Sequence, residues 1–347
     1  MTLASFNVKA EIDTTNFEHE YLLFPFLHLE IQTGKESHDE NGHGHSDFSF
    51  EYGFDMTYSM AYKKLRLINE VFVSDHEIDI ERLQFGYELS DTSVLWIGRF
   101  HVPIGYWNAQ YHHSLHLQTS VHRPAILEFE DEGGPLSNHM TGFLMSNNYL
   151  FNDGNIGFHL ALGTAPMLDE KLVSWGTSDK KDQHKLKTSG LIYWQPDELD
   201  PTQYGLSLGY SEIQSTNTNL GLINQTVVSV YSHNDWQAVR LTSEAYYVNN
   251  NPSKKTNFSN DSFSAVYAHL EYDFLPKWTI YGRIERGIDT NNNSYLSTLG
   301  HDSLDRNLVG VRYDFTRRQA FSCEIPQLDF GHDAQTHMSI QWTGMFP

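Results

Sequence analysis

The chain holds a single cysteine, Cys323, among 347 residues. That excludes an internal disulfide framework and any zinc site built from several cysteines. Basic residues are scarce too: 23 Lys and Arg stand against 44 Asp and Glu, a net charge of -21. Such a balance repels phosphates, so nucleic acid is not expected as a partner. No run of about 18 apolar residues occurs, which leaves no helix able to cross a bilayer. The N-terminus, MTLASFNVKAEID, has neither a basic start nor an apolar stretch, so no export signal is visible. The chain reads either as a mature form carrying an added Met or as one whose start was set downstream.

What the chain does have is alternation. Residues 48–62 read FSFEYGFDMTYSMAY, with Phe48, Phe50, Tyr52, Phe54, Met56, Tyr58, Met60 and Tyr62 at every second position. Successive side chains of a strand point to opposite faces, so this strand has one apolar and one polar face. It is far longer than a soluble strand of about five or six residues. A membrane-spanning strand needs about 9–11 residues. A polar average, with mean hydropathy -0.48, combined with alternating apolar positions fits a barrel whose strands face lipid on one side and water on the other.

Alternation and turn chemistry together predict an all-β, transmembrane antiparallel barrel of about sixteen strands. The segments are 21–33, 48–62, 64–75, 80–90, 93–103, 139–149, 155–164, 185–195, 203–214, 224–234, 236–247, 262–273, 277–288, 305–316, 318–328 and 335–346. Short connections, as at Lys63, Ser90–Thr92, Asn152–Gly154, His233–Asp235, Leu275–Pro276 and Arg317, alternate with long ones at 34–47, 104–138, 165–184, 215–223, 248–261 and 289–304. Short periplasmic turns and long outer loops are the layout of bacterial outer-membrane barrels. The last strand places Thr336, Met338, Ile340, Trp342, Gly344 and Phe346 on one face, the closing strand expected of such a chain. Residues 1–20 form a lead-in, a truncated strand or an extra one, and 21–347 form the barrel.

The same parity sorts the charges. It turns Arg66 and Glu70, Arg82 and Glu88, Arg240 and Glu244, Arg283 and Glu285, and Arg312 and Asp314 to the inner face. Arg99 is assigned to that pore wall as well. A charge left on lipid would cost roughly 2–4 kcal/mol near the midplane, so the parity is forced. The long segment 104–138 carries Tyr106, Trp107, Leu115, Leu117, Ile126, Leu127 and Phe129, too apolar for a solvated loop. It is expected to fold into the barrel as a constriction. Its acids Glu128, Glu130, Asp131 and Glu132 would then face the arginine-bearing wall, a transverse field that filters solutes. An external cap is the other arrangement open to it.

Residues 98–106, Gly-Arg-Phe-His-Val-Pro-Ile-Gly-Tyr, resemble the G-x-F-x-x-P-x-G pattern of porin families related to the phosphate-selective porins. The sixteen-strand layout with an infolded loop is similar to porins in general. The resemblance implies a passive channel for small hydrophilic solutes or ions, set in lipid and lipopolysaccharide of a Gram-negative outer membrane. Homotrimers are common in that group. The chain departs from the phosphate-selective type because each inward arginine has an acid nearby, which argues against anion specificity.

Nineteen histidines are a surplus. His38, His43 and His45 sit in ESHDENGHGHSD, where imidazoles beside carboxylates could gather zinc weakly. His112, His113, His116, His122 and His139 cluster in the long segment. No H-E-x-x-H or nucleophile-elbow pattern occurs, so catalysis is not expected, and no cofactor beyond such weakly held zinc. A metal-gathering barrel and a non-membrane β-rich binding module are the competing readings.

Overall fold

The computed structural model describes residues 19–38, 44–74, 78–111, 116–130, 133–151, 154–174, 185–216, 221–253, 261–291, 293–301, 303–328 and 338–346. The first strands are β1 (His19–His38), β2 (Gly44–Tyr62), β3 (Leu65–Ser74), β4 (Ile78–Ser90) and β5 (Ser93–His101). After the short helix α1 (Tyr106–Gln110) come β6 (His139–Phe151), β7 (Gly154–Thr164), β8 (Met167–Asp169), β9 (Lys171–Val173) and β10 (Leu186–Gln195). The chain continues with β11 (Gln203–Ser215), β12 (Leu222–Trp236), β13 (Val239–Pro252), β14 (Asp261–Leu275) and β15 (Trp278–Ile288). Helix α2 (Ser294–Thr298) precedes β16 (Arg306–Thr316), β17 (Gln319–Leu328) and β18 (Met338–Met345).

Each wall strand pairs antiparallel with its neighbour, and β1 pairs with both β2 and β18, so the sheet closes on itself. Strand β7 pairs directly with β10. The two strands skipped, β8 and β9, form a hairpin that touches β11 from the segment between them. Eighteen strands less these two leave a sixteen-stranded barrel. Closure removes the open edges that would otherwise leave backbone groups unpaired in lipid. His19 and Glu20, expected in the lead-in, belong to β1.

One turn falls later than expected. The polar run His233–Asp235 reads as a reversal, yet β12 continues to Trp236 and the chain turns at Gln237, φ 65°. His233 and Asp235 instead pair with Thr242 and Arg240. Polar residues mark turns in soluble sheets, but along a lumen they occupy every second strand position.

Burial follows the alternation. Leu95, Ile97, Phe143, Leu160, Leu206, Val230, Ile284 and Val309 are exposed on the outer face. Towards the short turns the outer face gains Trp194, Tyr204, Trp236, Tyr272 and Trp278, an aromatic girdle. Apolar exposure around an entire wall is what lipid covers. The inner face is mostly polar, but it carries buried apolar residues too, among them Phe100, Met140 and Leu191 and, at the loop ends of β11–β14, Ile213, Ile223, Val227, Val248 and Phe263. These last five pack with Ile126 and Leu127 of the long segment and with Leu168, Leu172 and Leu296.

Candidate functional site: the lumen and its infolded loop

The segment after β5 turns into the barrel through Gly105, whose φ of 64° is the left-handed region. A Cβ there would collide with Tyr246 Oη and Glu244 Oε2. The Gly105 N–H donates to Ser207 Oγ at 3.0 Å, and the Trp107 N–H to Glu244 Oε1 at 2.8 Å. Helix α1 then sets Tyr106 flat on His233, ring centroids 4.4 Å apart, and Trp107 edge-on to His269. The residues of the family-like motif thus deliver the loop to the far wall.

The loop crosses to β15–β18. The Val121 N–H donates to Glu324 at 2.9 Å, His122 Nδ1 lies 2.6 Å from the same carboxylate, and the Ala125 N–H donates to Glu285 at 2.6 Å. Arg283 answers from the wall. Its guanidinium donates to Ser120 Oγ (3.1 Å), His122 O (3.0 Å), Arg123 O (2.8 Å) and Glu285 (2.8 Å). Arg312 donates to the carbonyls of Gln118 (2.6 Å) and His116 (2.9 Å), and Arg306 to that of Arg123 (3.0 Å). Charge-assisted hydrogen bonds are worth about 1.5–3 kcal/mol each, so this loop is fastened to the wall.

Its return leg is held by buried charge. Glu130 accepts from the Asn138 N–H at 2.6 Å, and His139 bridges Glu130 (3.2 Å) and Glu81 (2.6 Å). Burial opposes the Glu130 charge, but the His139 imidazole and the nearby Lys187 ammonium bring its carboxyl down to about 2. Burial would likewise neutralise His122, yet Glu324 outweighs it and holds that imidazole above its ordinary value. His116 is pushed down to about 4 by burial and by the Arg312 charge.

The predicted wall residues pair across strands more often than along them. Arg66 meets Glu88, Arg82 meets Glu70, and Arg99 meets Asp79 at 3.2 Å. Arg240 reaches Glu271 and Asp273, both at 2.7 Å, and leaves Glu244 to Tyr246, Tyr267 and Trp107. Arg283–Glu285 and Arg312–Asp314 are the pairs made within one strand. Of the loop acids, Glu128 faces the wall at Arg306, and Glu130 is turned into the loop's own foot. Asp131 and Glu132 lie outside the described residues, as do His43, His112, His113 and the side chains of His38 and His45.

Sequence reasoning missed Arg306, Glu324, Glu271, Asp273 and Glu81. The first four sit at the correct parity on strands already identified, so the alternation alone could have found them. Glu81 is different. Glu70 pairs with Arg82 and Val71 with Ile80, leaving Glu81 as the extra residue of a bulge. The bulge brings two adjacent side chains, Glu81 and Arg82, to ion-pair partners of the lumen.

No family profile matches the chain, and no curated protein resembles it in sequence. Solved structures do. An anion-selective porin from Comamonas acidovorans superposes with a TM-score of 0.60 at 12% identity, covering 95% of this chain and 100% of that one. Salmonella typhi OmpF, solved with daunomycin, gives 0.59 at 12% identity over 94% and 97%. A loop-deleted OmpT, an outer membrane protein of Vibrio cholerae, gives 0.55 at 11% identity over 94% and 99%. Across nearly its whole length, then, this chain has the sixteen-stranded barrel fold of the outer-membrane porins.

Proposed function

We propose that the protein is a passive channel of the Gram-negative outer membrane for small hydrophilic solutes or ions. The observation that carries this reading is a closed barrel, apolar outside and polar inside, with one long loop fastened across its lumen. In that reading the loop 104–138 sets the narrow section. Selectivity is weakly charge-tuned, because the wall arginines are engaged by acids and loop carbonyls. Arg283 and Arg312 present little free positive field, and this argues against a phosphate-specific lumen. Assembly as a homotrimer, with lipopolysaccharide around the outer rim, belongs to the same reading.

Purified protein in planar bilayers supplies the test. Stepwise conductance together with heat-modifiable gel mobility supports the channel; a protein monodisperse without detergent ends it. Replacing Glu128, Glu130 and Asp131 together by Ala shifts ion selectivity if the loop acids help set it. Unchanged reversal potentials remove them from that role. The His-rich loop, as a zinc-gathering site, requires that zinc binding at low micromolar concentration disappear when residues 38–45 are deleted.

A further inference from the structure

The outer face carries an ordered feature near the short turns. Trp278 of β15 pairs with Tyr313 of β16, Tyr313 with Phe321 of β17, and Phe321 with Trp342 of β18. Cross-strand partners point to the same face, so these side chains form one aromatic row over four neighbouring strands. The rings of Trp278 and Tyr313 lie 4.5 Å apart, and Phe315 stacks on Phe321 at 5.4 Å. Trp278 and Phe321 are exposed on the apolar outer wall.

Below the row, the turns joining β14 to β15 and β16 to β17 stand side by side and hold Lys277, Arg317 and Arg318, all exposed. The Lys277 backbone is left-handed, φ 73°, and its ammonium donates to Phe315 O at 3.0 Å, which draws it towards the Arg317 turn. None of the three cations has an ion-pair partner among the described residues, and the nearby Asp314 is taken by Arg312 on the inner face. In a chain of net charge -21, three such cations over one aromatic row stand out. The turn between β10 and β11 is the reverse. Trp194 and Tyr204 lie 5.8 Å apart above it, but the turn itself holds Asp197, Glu198 and Asp200.

Aromatic rings of a membrane wall sit at the level of the lipid headgroups, so charges just beyond them meet the phosphate layer. Lys and Arg there attract anionic headgroups, and a guanidinium forks onto phosphate oxygens. We propose that Lys277, Arg317 and Arg318, with the row from Trp278 to Trp342, bind an anionic phospholipid of the leaflet on the turn side. Its phosphate lies on the cations and its acyl chains along the rings. The acidic β10–β11 turn repels the same lipid, so headgroups sort by charge around the rim. The inference rests on the membrane reading above.

Tryptophan quenching of the full chain in phosphatidylcholine vesicles tests it, because Trp278 and Trp342 lie within the site. A minor share of the lipid is brominated phosphatidylglycerol or, for comparison, brominated phosphatidylcholine. Phosphatidylglycerol is expected to associate roughly tenfold more strongly at low salt, and less so as salt rises. The variant Lys277→Gln/Arg317→Gln/Arg318→Gln should lose the preference. Lys63→Gln/Lys64→Gln, which removes two exposed cations from another turn, should keep it. Three results overturn the proposal: no preference in the native chain, equal loss in both variants, or displacement of the lipid by millimolar inorganic phosphate. The second would reduce the effect to the net charge of the rim, the third to a site for the free anion. Insertion is scored separately, in vesicles made wholly of brominated phosphatidylcholine. A chain unquenched there fails the membrane reading; a quenched chain without preference fails this proposal alone. Because the salt dependence and the lipid comparison use the native chain, a variant that fails to fold leaves the test intact.

Discussion

Two stretches of the lumen wall share the same alternation, yet they do opposite things with arginine. Under the long segment, Arg283 is buried with Glu285, side chains 0% and 3% exposed, and directs its donors to loop carbonyls. Beside the turn at Lys63, Arg66 and Glu88 pair with each other and remain 29% and 30% exposed. The difference is the presence of the loop. Where chain is packed against the wall, a guanidinium becomes a fastener, since its fixed fork can satisfy several carbonyls that would otherwise be buried unpaired. Where water meets the wall, the same side chain is screened and contributes little to stability.

The most severe way to break this contrast is Arg283→Ala. It takes the buried ion-pair partner from Glu285 and the donor from the His122 carbonyl, while the Ala125 N–H still serves Glu285 and Arg306 the Arg123 carbonyl. Removing one partner of a buried pair costs about 3–5 kcal/mol. Denaturant unfolding followed by gel mobility measures that loss, and limited proteolysis should open new cleavage within 116–130. A cleavage pattern identical to the native one would show that Arg283 does not fasten the loop.

Gly105→Ala comes next. It forces a left-handed backbone on alanine and pushes a methyl at Tyr246 and Glu244, a strain of about 1–3 kcal/mol. Proteolysis is expected to increase at the loop's entry, with the wall strands unaffected. Arg66→Ala should cost less than about 1 kcal/mol, as exposed pairs do. Its signature belongs elsewhere: a reversal-potential shift towards cations, without added protease sensitivity. Were Arg66→Ala to unfold the barrel as Arg283→Ala does, the contrast between the two stretches would fail.

The smallest effect is one of pH. Because Glu324 holds the His122 imidazole above its ordinary value, that contact stabilises the loop most below the unfolded histidine range. Its contribution is lost as pH rises through the elevated value. Glu130, at about 2 against 4.5 ordinarily, has the opposite sign: its contribution is present above the ordinary value and lost as pH falls towards 2. Loop proteolysis across pH should therefore increase modestly on the alkaline side, and His122→Asn should abolish that rise. A rise of equal size in the variant would remove the His122–Glu324 contact from the explanation.

Much of this was legible before any coordinates. Alternation marks the wall strands apart from their bulges, since an apolar outer face and a polar inner one leave parity little freedom. The turn after Trp236 escaped because lumen residues mimic turn residues, and the Glu81 bulge because an inserted residue has no periodic signature. The loop's destination was readable from its aromatics, but its fastening was not. Carbonyl acceptors carry no sequence identity, so nothing in the letters says that Arg283 grips His122 and Arg123 more than it answers an acidic ring.

The central claim is that segment 104–138 lies across the lumen of a conducting barrel and narrows it. Single-channel conductance in planar bilayers, native chain against one lacking residues 116–130, tests it most directly. Both proteins should show heat-modifiable mobility, and the shortened chain should conduct in steps several-fold larger. Equal steps from two intact barrels would contradict the claim.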